Sequence, residues 1–107
     1  MTATIIDGKA LAATYRDRAA QKVADLTKRG HSVRLDAVLA VGDAHASSRV
    51  YAEKQAAGCQ DLGIDYRLHE LPGDANFDDV AGRVLLLNAD EEVRAIMVHL
   101  PLPDGVD

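Results

Sequence analysis

Hydrophobic positions along the chain switch between two periods. From Leu11 to Leu26 the apolar residues Leu11, Ala12, Tyr15, Ala19, Val23 and Leu26 recur at three- and four-residue spacing, with Arg16, Asp17, Lys22 and Asp25 off that stripe. This is the pattern of an amphipathic helix. Asp7 stands where an N-cap belongs, near the positive end of the helix dipole, and Gly30 follows Lys28-Arg29 as a stop. Leu35 to Val41 is a short apolar run, β-branched enough for a buried strand. A second helix is expected from Ser47-Ser48 to Leu62, with either serine as N-cap and Gly63 as the C′ residue. At about 100° per residue, Ser48, Tyr51, Gln55, Cys59 and Leu62 share one face, and Arg49, Glu53 and Gln60 lie opposite. Ile64, Tyr66 and Leu68 then alternate with Asp65, Arg67 and His69, as in a strand near a sheet edge. A third helix starts at Asn76-Phe77-Asp78-Asp79, with Phe77, Val80, Ala81, Val84 and Leu87 as its inward stripe and Asn88 able to close it. Val93 to Val98 is a third strand. Pairing must stop near Pro101, because proline has no amide to donate.

Helix, strand, helix, strand, helix, strand, with helices long enough for crossovers, predicts an α/β fold. Its expected form is three layers, a mostly parallel sheet with helices on both faces. Ligands in such folds sit beyond the carboxyl ends of the strands. Those ends are Gly42-Asp43, Leu71-Pro72 and the run from His99 to Pro103. The central helix begins at the first of them, which puts Tyr51 and Gln55 near the third. A polar Ser/Tyr/Gln group on a face that should be buried is the most informative local feature. Its plainer explanation is a helix with a few satisfied polar residues at its entry.

Composition narrows the function classes. The 107 residues suffice for one domain with a real core. Tyr15, Tyr51, Tyr66 and Phe77 are the only aromatic residues, so the core must be mostly aliphatic. The net charge of −5 and the lack of a basic stripe argue against nucleic acid and against an acidic membrane surface. Cys59 is the single cysteine, which fits a reducing compartment, and no signal or long apolar segment is evident, so a cytoplasmic location is expected. His31, His45, His69 and His99 lack ligand spacing, so no metal site is expected. No cationic residue sits one turn from Cys59 on its face, so the thiol reads as a small buried group.

Four segments carry a resemblance: Ile5-Ile6-Asp7-Gly8-Lys9; Val41-Gly42-Asp43 followed by Ser48-x-x-Tyr51; Leu87-Asn88-Ala89-Asp90; and Val98-His99-Leu100-Pro101-Leu102-Pro103. Their order and separation resemble the N-terminal catalytic domain of the bifunctional methylenetetrahydrofolate dehydrogenase/methenyltetrahydrofolate cyclohydrolase family over essentially the whole chain, residues 1–107. The resemblance implies a folate cleft. Tyr51 would stack on the aminobenzoyl part of the substrate, and Val98, His99, Leu100 and Pro101 would line the same cleft with Ser48 and Gln55. It implies oxidation of 5,10-methylenetetrahydrofolate with NADP and hydrolysis of 5,10-methenyltetrahydrofolate to 10-formyltetrahydrofolate.

The chain departs from the family where the chemistry is centred. Four residues after the tyrosine the family has a catalytic lysine, and this chain has Gln55. Lys54, one residue earlier, lies about 60° from Tyr51 on the wheel and is the candidate substitute. The family's glutamine before the Leu-Pro-Leu-Pro run is His99, which can titrate near neutral pH. The loop from Asp43 to Ser47 is one residue longer. The family's NADP-binding Rossmann domain is not represented, since no G-x-G-x-x-G occurs, and this chain alone is expected to bind no nucleotide. That leaves a small-molecule folate as partner, with association with a second copy or a separate NADP-binding domain also open. The other readings are a catalytically degenerate folate-binding module and a structural module kept for association. Tyr51→Ala separates those two.

Overall fold

The computed structural model describes residues 2–40 and 46–106. It contains three helices and three strands in alternation: α1 (Gly8–Lys28), β1 (Arg34–Leu39), α2 (Ala46–Leu62), β2 (Asp65–Glu70), α3 (Phe77–Ala89) and β3 (Ala95–Val98). The expected element order holds; β1 starts one residue early, at Arg34, and ends at Leu39, β2 is one residue shorter at each end, and β3 starts two residues later than expected. The strands form a wholly parallel sheet in the order β2-β1-β3. The polar β2 is an edge, as its alternation predicts. The apolar β1 is central, and Ala37, Val38, Leu39 and the following Ala40 are fully buried.

Pairing continues just past the strands at their carboxyl ends. The Leu71 amide donates to the Leu39 carbonyl at 2.8 Å and the His99 amide to the Val38 carbonyl at 2.9 Å. His99 is thereby fixed at the rim of the sheet beside the end of β1. Beyond it the Leu100–Pro101 peptide is cis.

Helix ends follow local chemistry. Asp7 caps α1 by accepting from the Ala10 amide at 3.1 Å. Asn76 and Asp79 form a reciprocal capping box on α3. Gly30 and Gly63 both adopt positive φ, +85° and +82°. Each closes its helix with paired bonds, His31 to Leu26 with Gly30 to Thr27, and Ile64 to Cys59 with Gly63 to Gln60. That is the Schellman arrangement, which requires the left-handed backbone glycine supplies.

Three expectations need correction. Ser47 and Ser48 do not cap α2. The helix already includes Ala46, so its cap lies outside the described residues. Phe77 does not point inward: it is 55% exposed, because α3 turns Val80 and Leu87 to the core and Phe77 falls off that face. Asn88 lies within α3, and Asp90 is its C-cap. The loop expectations at Val41 to His45 also lie outside the described residues.

The stripe on α1 forms as a helix but is mostly uncovered. Val23 is its single buried residue, and Leu11 and Tyr15 are 50% and 60% exposed. α1 packs only on α2 among the elements. The Cα radius of gyration is 16.8 Å, against about 13 Å for a compact chain of this length.

Candidate functional site

α2 brings its first turns to the carboxyl rim of β1 and β3. The contact is specific. The Ser48 hydroxyl, buried, donates to the Leu100 carbonyl at 3.1 Å. Ser48 lies in the first turn of α2, and its hydroxyl reaches to another segment of the chain instead of bonding to its own helix. The bond pins α2 to the Leu-Pro-Leu-Pro segment and leaves a cleft of about 410 Å³ between them. Ser48, Tyr51, Val98, His99, Leu100 and Pro101 line it, as the sequence suggests, together with Ser47 and Met97, which sequence reasoning missed.

Tyr51 stands at the mouth, 56% exposed. Its ring meets that of His99 edge-on, centroids 5.7 Å apart with planes at 76°. That geometry suits the quadrupoles of two aromatic rings and leaves a tyrosine face unpaired. His99 is only 3% exposed. Burial pushes its pKa below the ordinary value of 6.5, so the imidazole is neutral at neutral pH. The Tyr66 hydroxyl lies 3.4 Å from His99 Nε2, reaching across from β2. Burial, and then the proximity of Cys59 and Tyr51, raise the Tyr66 pKa, so the phenol keeps its proton. Burial likewise raises the Cys59 thiol, which is an inert packing group as its helix face suggests.

Gln55 is one turn deeper than Tyr51 and does not line the cleft. Its Nε2 lies 2.9 Å from Met97 Sδ, while its Oε1 is sealed with no partner among the described residues. Exchanging amide oxygen and nitrogen would only move the orphan, so this side chain has unused hydrogen-bonding capacity in either orientation. Lys54 is exposed and is not among the residues that line the cleft. Arg49, on the far side of the wheel, pairs with Glu70 of β2.

A second polar cluster sits on the alternate strand positions. Asp36, fully buried, accepts from Arg34 Nε and Nη2 at 2.8 and 2.9 Å and contacts His69 Nε2 at 2.7 Å. Arg83 of α3 approaches His69 Nδ1 at 3.4 Å. This cluster is away from the cleft and holds strands and helix together. Among the described residues no group of three His, Cys, Asp or Glu is placed to hold a metal ion. No described helix is long and apolar enough to cross a membrane.

The chain resembles known proteins along nearly its whole length. A family profile described as "Tetrahydrofolate dehydrogenase/cyclohydrolase, catalytic domain" matches residues 6–107. A bifunctional protein FolD of Ralstonia nicotianae is 44% identical over 107 residues, all of this chain and 36% of that protein. The crystal structure of the bifunctional FolD methylenetetrahydrofolate dehydrogenase/cyclohydrolase of Campylobacter jejuni superposes with a TM-score of 0.89 at 33% identity, over 97% of this chain and 36% of that one. The Trypanosoma brucei N5,N10-methylenetetrahydrofolate dehydrogenase-cyclohydrolase, solved with NADP cofactor and inhibitor, gives 0.86 at 28% identity, over all of this chain and 36% of that one. The chain thus spans about a third of the length of these relatives. Profile, relatives and fold agree, and the chain belongs to the tetrahydrofolate dehydrogenase/cyclohydrolase family, in its catalytic domain.

Proposed function

We propose that residues 1–107 form the folate-binding catalytic domain of an enzyme of one-carbon metabolism. The activities at issue are oxidation of 5,10-methylenetetrahydrofolate with NADP and hydrolysis of 5,10-methenyltetrahydrofolate to 10-formyltetrahydrofolate. The observation that carries the reading is the cleft itself. Tyr51 offers an aromatic face at the mouth, and Val98, Leu100 and Pro101 offer an apolar wall opposite. A folate has a flat apolar body that such a slot suits, with few polar groups needed to orient it. We read the fold as three-layered on the same grounds. The contacts of α2 fall on Tyr66, Met97 and His99, and those of α3 on the alternate position His69.

Tyr51 positions the ligand, and Ser48 holds the wall in place through Leu100. His99 provides a neutral imidazole that can exchange hydrogen bonds with the ligand. Gln55 can donate or accept but cannot take up a proton, so the proton handling of the family lysine has no direct counterpart there. The chain has no Gly-rich phosphate-binding turn of the G-x-G-x-x-G type, and its residues do not fit NADP by themselves. NADP supplies hydride acceptance only where a nucleotide-binding domain accompanies this one.

A second reading, a folate-binding module without hydrolytic activity, is favoured by one observation. Gln55 is a neutral amide outside the cleft lining and Lys54 is in solvent, so neither provides a cation in the cleft. Calorimetric titration of tetrahydrofolate into the chain, repeated with Tyr51→Ala, tests the proposal. Saturable binding that the variant loses supports it. Binding unchanged by the variant removes Tyr51 from the site, and no binding at all rejects the reading that this chain alone holds folate.

A further inference from the structure

Tyr66 takes no part in the family resemblance, and its position on β2 is 33 residues from His99. The parallel register brings them together. Tyr66 pairs with Leu35, and Met97 pairs with Ala37, so Tyr66 and His99 fall on strand positions of the same parity and face the same side of the sheet. α2 covers that side, with Cys59 and Tyr51 near the phenol. The hydroxyl ends 3.4 Å from one ring nitrogen of a histidine that lines the cleft.

We infer that Tyr66 is a positioning residue for His99: its hydroxyl donates to Nε2, holds the imidazole as the Nδ1–H tautomer, and leaves Nδ1 as the nitrogen that meets a cleft ligand. The direction of the bond follows from acid–base matching. A phenol is a far stronger acid than a neutral imidazole N–H, and an imidazole nitrogen is a better acceptor than a phenol oxygen. The alternative direction, Nε2–H to the phenol oxygen, leaves the phenol hydrogen with no acceptor among the described residues. With Nε2 engaged, a neutral ring has its one hydrogen on Nδ1. His99 is then a donor toward the cleft, and the ligand group it selects is an acceptor such as a carbonyl oxygen or an unprotonated ring nitrogen. A glutamine at this position could offer either polarity; a tyrosine-locked histidine offers one.

This inference deepens the folate-cleft reading and rests on it only for the identity of the ligand. The tautomer itself can be measured without any ligand. Long-range ¹H–¹⁵N NMR on the uniformly labelled chain at pH 8 distinguishes protonated from unprotonated ring nitrogens, and His99→Gln identifies the His99 signals among the four histidines. The expected result is a protonated Nδ1 and an unprotonated Nε2. In Tyr66→Phe, which keeps the ring and deletes the hydroxyl, the Nε2–H form should rise at least five-fold relative to the wild-type chain, with the His69 signals unchanged as a control on folding. A wild-type ring already in the Nε2–H form, or a tautomer that Tyr66→Phe leaves alone, overturns the inference. The wild-type spectrum decides the first point even if the variant does not fold. Adding tetrahydrofolate then separates the two readings. Failure to bind rejects the reading that this chain alone holds folate and leaves the tautomer result standing. Binding that shifts Nε2 and not Nδ1 overturns the assignment of Nδ1 to the ligand.

Discussion

Replacing Asp36 with alanine strips out the carboxylate on which Arg34 and His69 converge. Asp36 has no solvent exposure, and three contacts of 2.7 to 2.9 Å end on its two oxygens. Burial alone pushes this carboxyl up; the hydrogen bonds from Arg34 and His69 outweigh it and hold the pKa below the usual 3.8. Charged hydrogen bonds contribute about 1.5–3 kcal/mol each, but they share one acceptor and do not add. Breaking a buried pair from one side costs about 3–5 kcal/mol, because the remaining charge stays buried without its closest partner; Arg34 would keep only the longer contact to the exposed Asp90 at 3.7 Å. We expect Asp36→Ala to lose about that much, a large part of the roughly 5–15 kcal/mol typical of a domain. Equilibrium urea unfolding followed by far-UV circular dichroism should show the midpoint fall by roughly 2 M at a typical slope. The control replaces all three groups, Arg34→Met with Asp36→Leu and His69→Leu. Removing charges together leaves none stranded, and such replacements are neutral or stabilising. A single-variant loss below about 1 kcal/mol, or a triple variant as unstable as the single, refutes the reasoning.

The acid limb of stability should have two steps. His99 is held neutral, its folded pKa below 6.5, so stability is fully present above that pH and declines as the pH falls toward the folded value. The Asp36 contribution is lost only below 3.8, as the pH falls through its lowered pKa. His99→Gln should flatten the first step in a pH series of thermal melts and leave the second; an unchanged first step counts against a buried neutral imidazole. Gln55→Lys, in a chain extended by a relative's NADP-binding domain, should raise methenyltetrahydrofolate hydrolysis roughly 10²-fold by restoring a proton-handling group. No gain with Tyr51 and His99 intact argues against the carry-over from the family. Gly63→Ala would put a Cβ 3.5 Å from Val23 Cγ1, an ordinary contact. The loss should therefore come from the backbone at φ +82°, about 1 kcal/mol and a melting point lower by roughly 5 °C. A larger drop points to packing instead.

Much of the architecture is legible in local chemistry. Gly30 and Gly63 end their helices and Asp7 starts one because those backbone requirements are satisfied within a few residues. The carboxyl-end rule places Tyr51 near His99 before any coordinates. What escapes is whatever depends on partners distant in the chain. A hydroxyl at Ser48 suits a cap or a tertiary bond equally well, and only the arrival of Leu100 decides it. Asp36 and His69, or Tyr66 and His99, each 33 residues apart, meet because of strand register, which alternation does not specify. Phe77 and the stripe on α1 show the same limit. Periodicity names the face a helix can bury, not whether anything lies against it.

That uncovered stripe makes α1 two things in one element. Its last turns share the fate of the domain through Val23 and the Schellman close at Gly30. Its first turns, with Leu11 and Tyr15 in water, hold themselves up by backbone bonds and the Asp7 cap. A helix of 21 residues is long enough to propagate, yet isolated helices of 12–15 residues are marginal in water, so its free end should open locally. Amide hydrogen exchange should run as a gradient along α1, fastest near Ala12 and slowing to the rate of β1 by Val23. The domain unfolds as a unit while one end of its longest helix melts and reforms on its own clock.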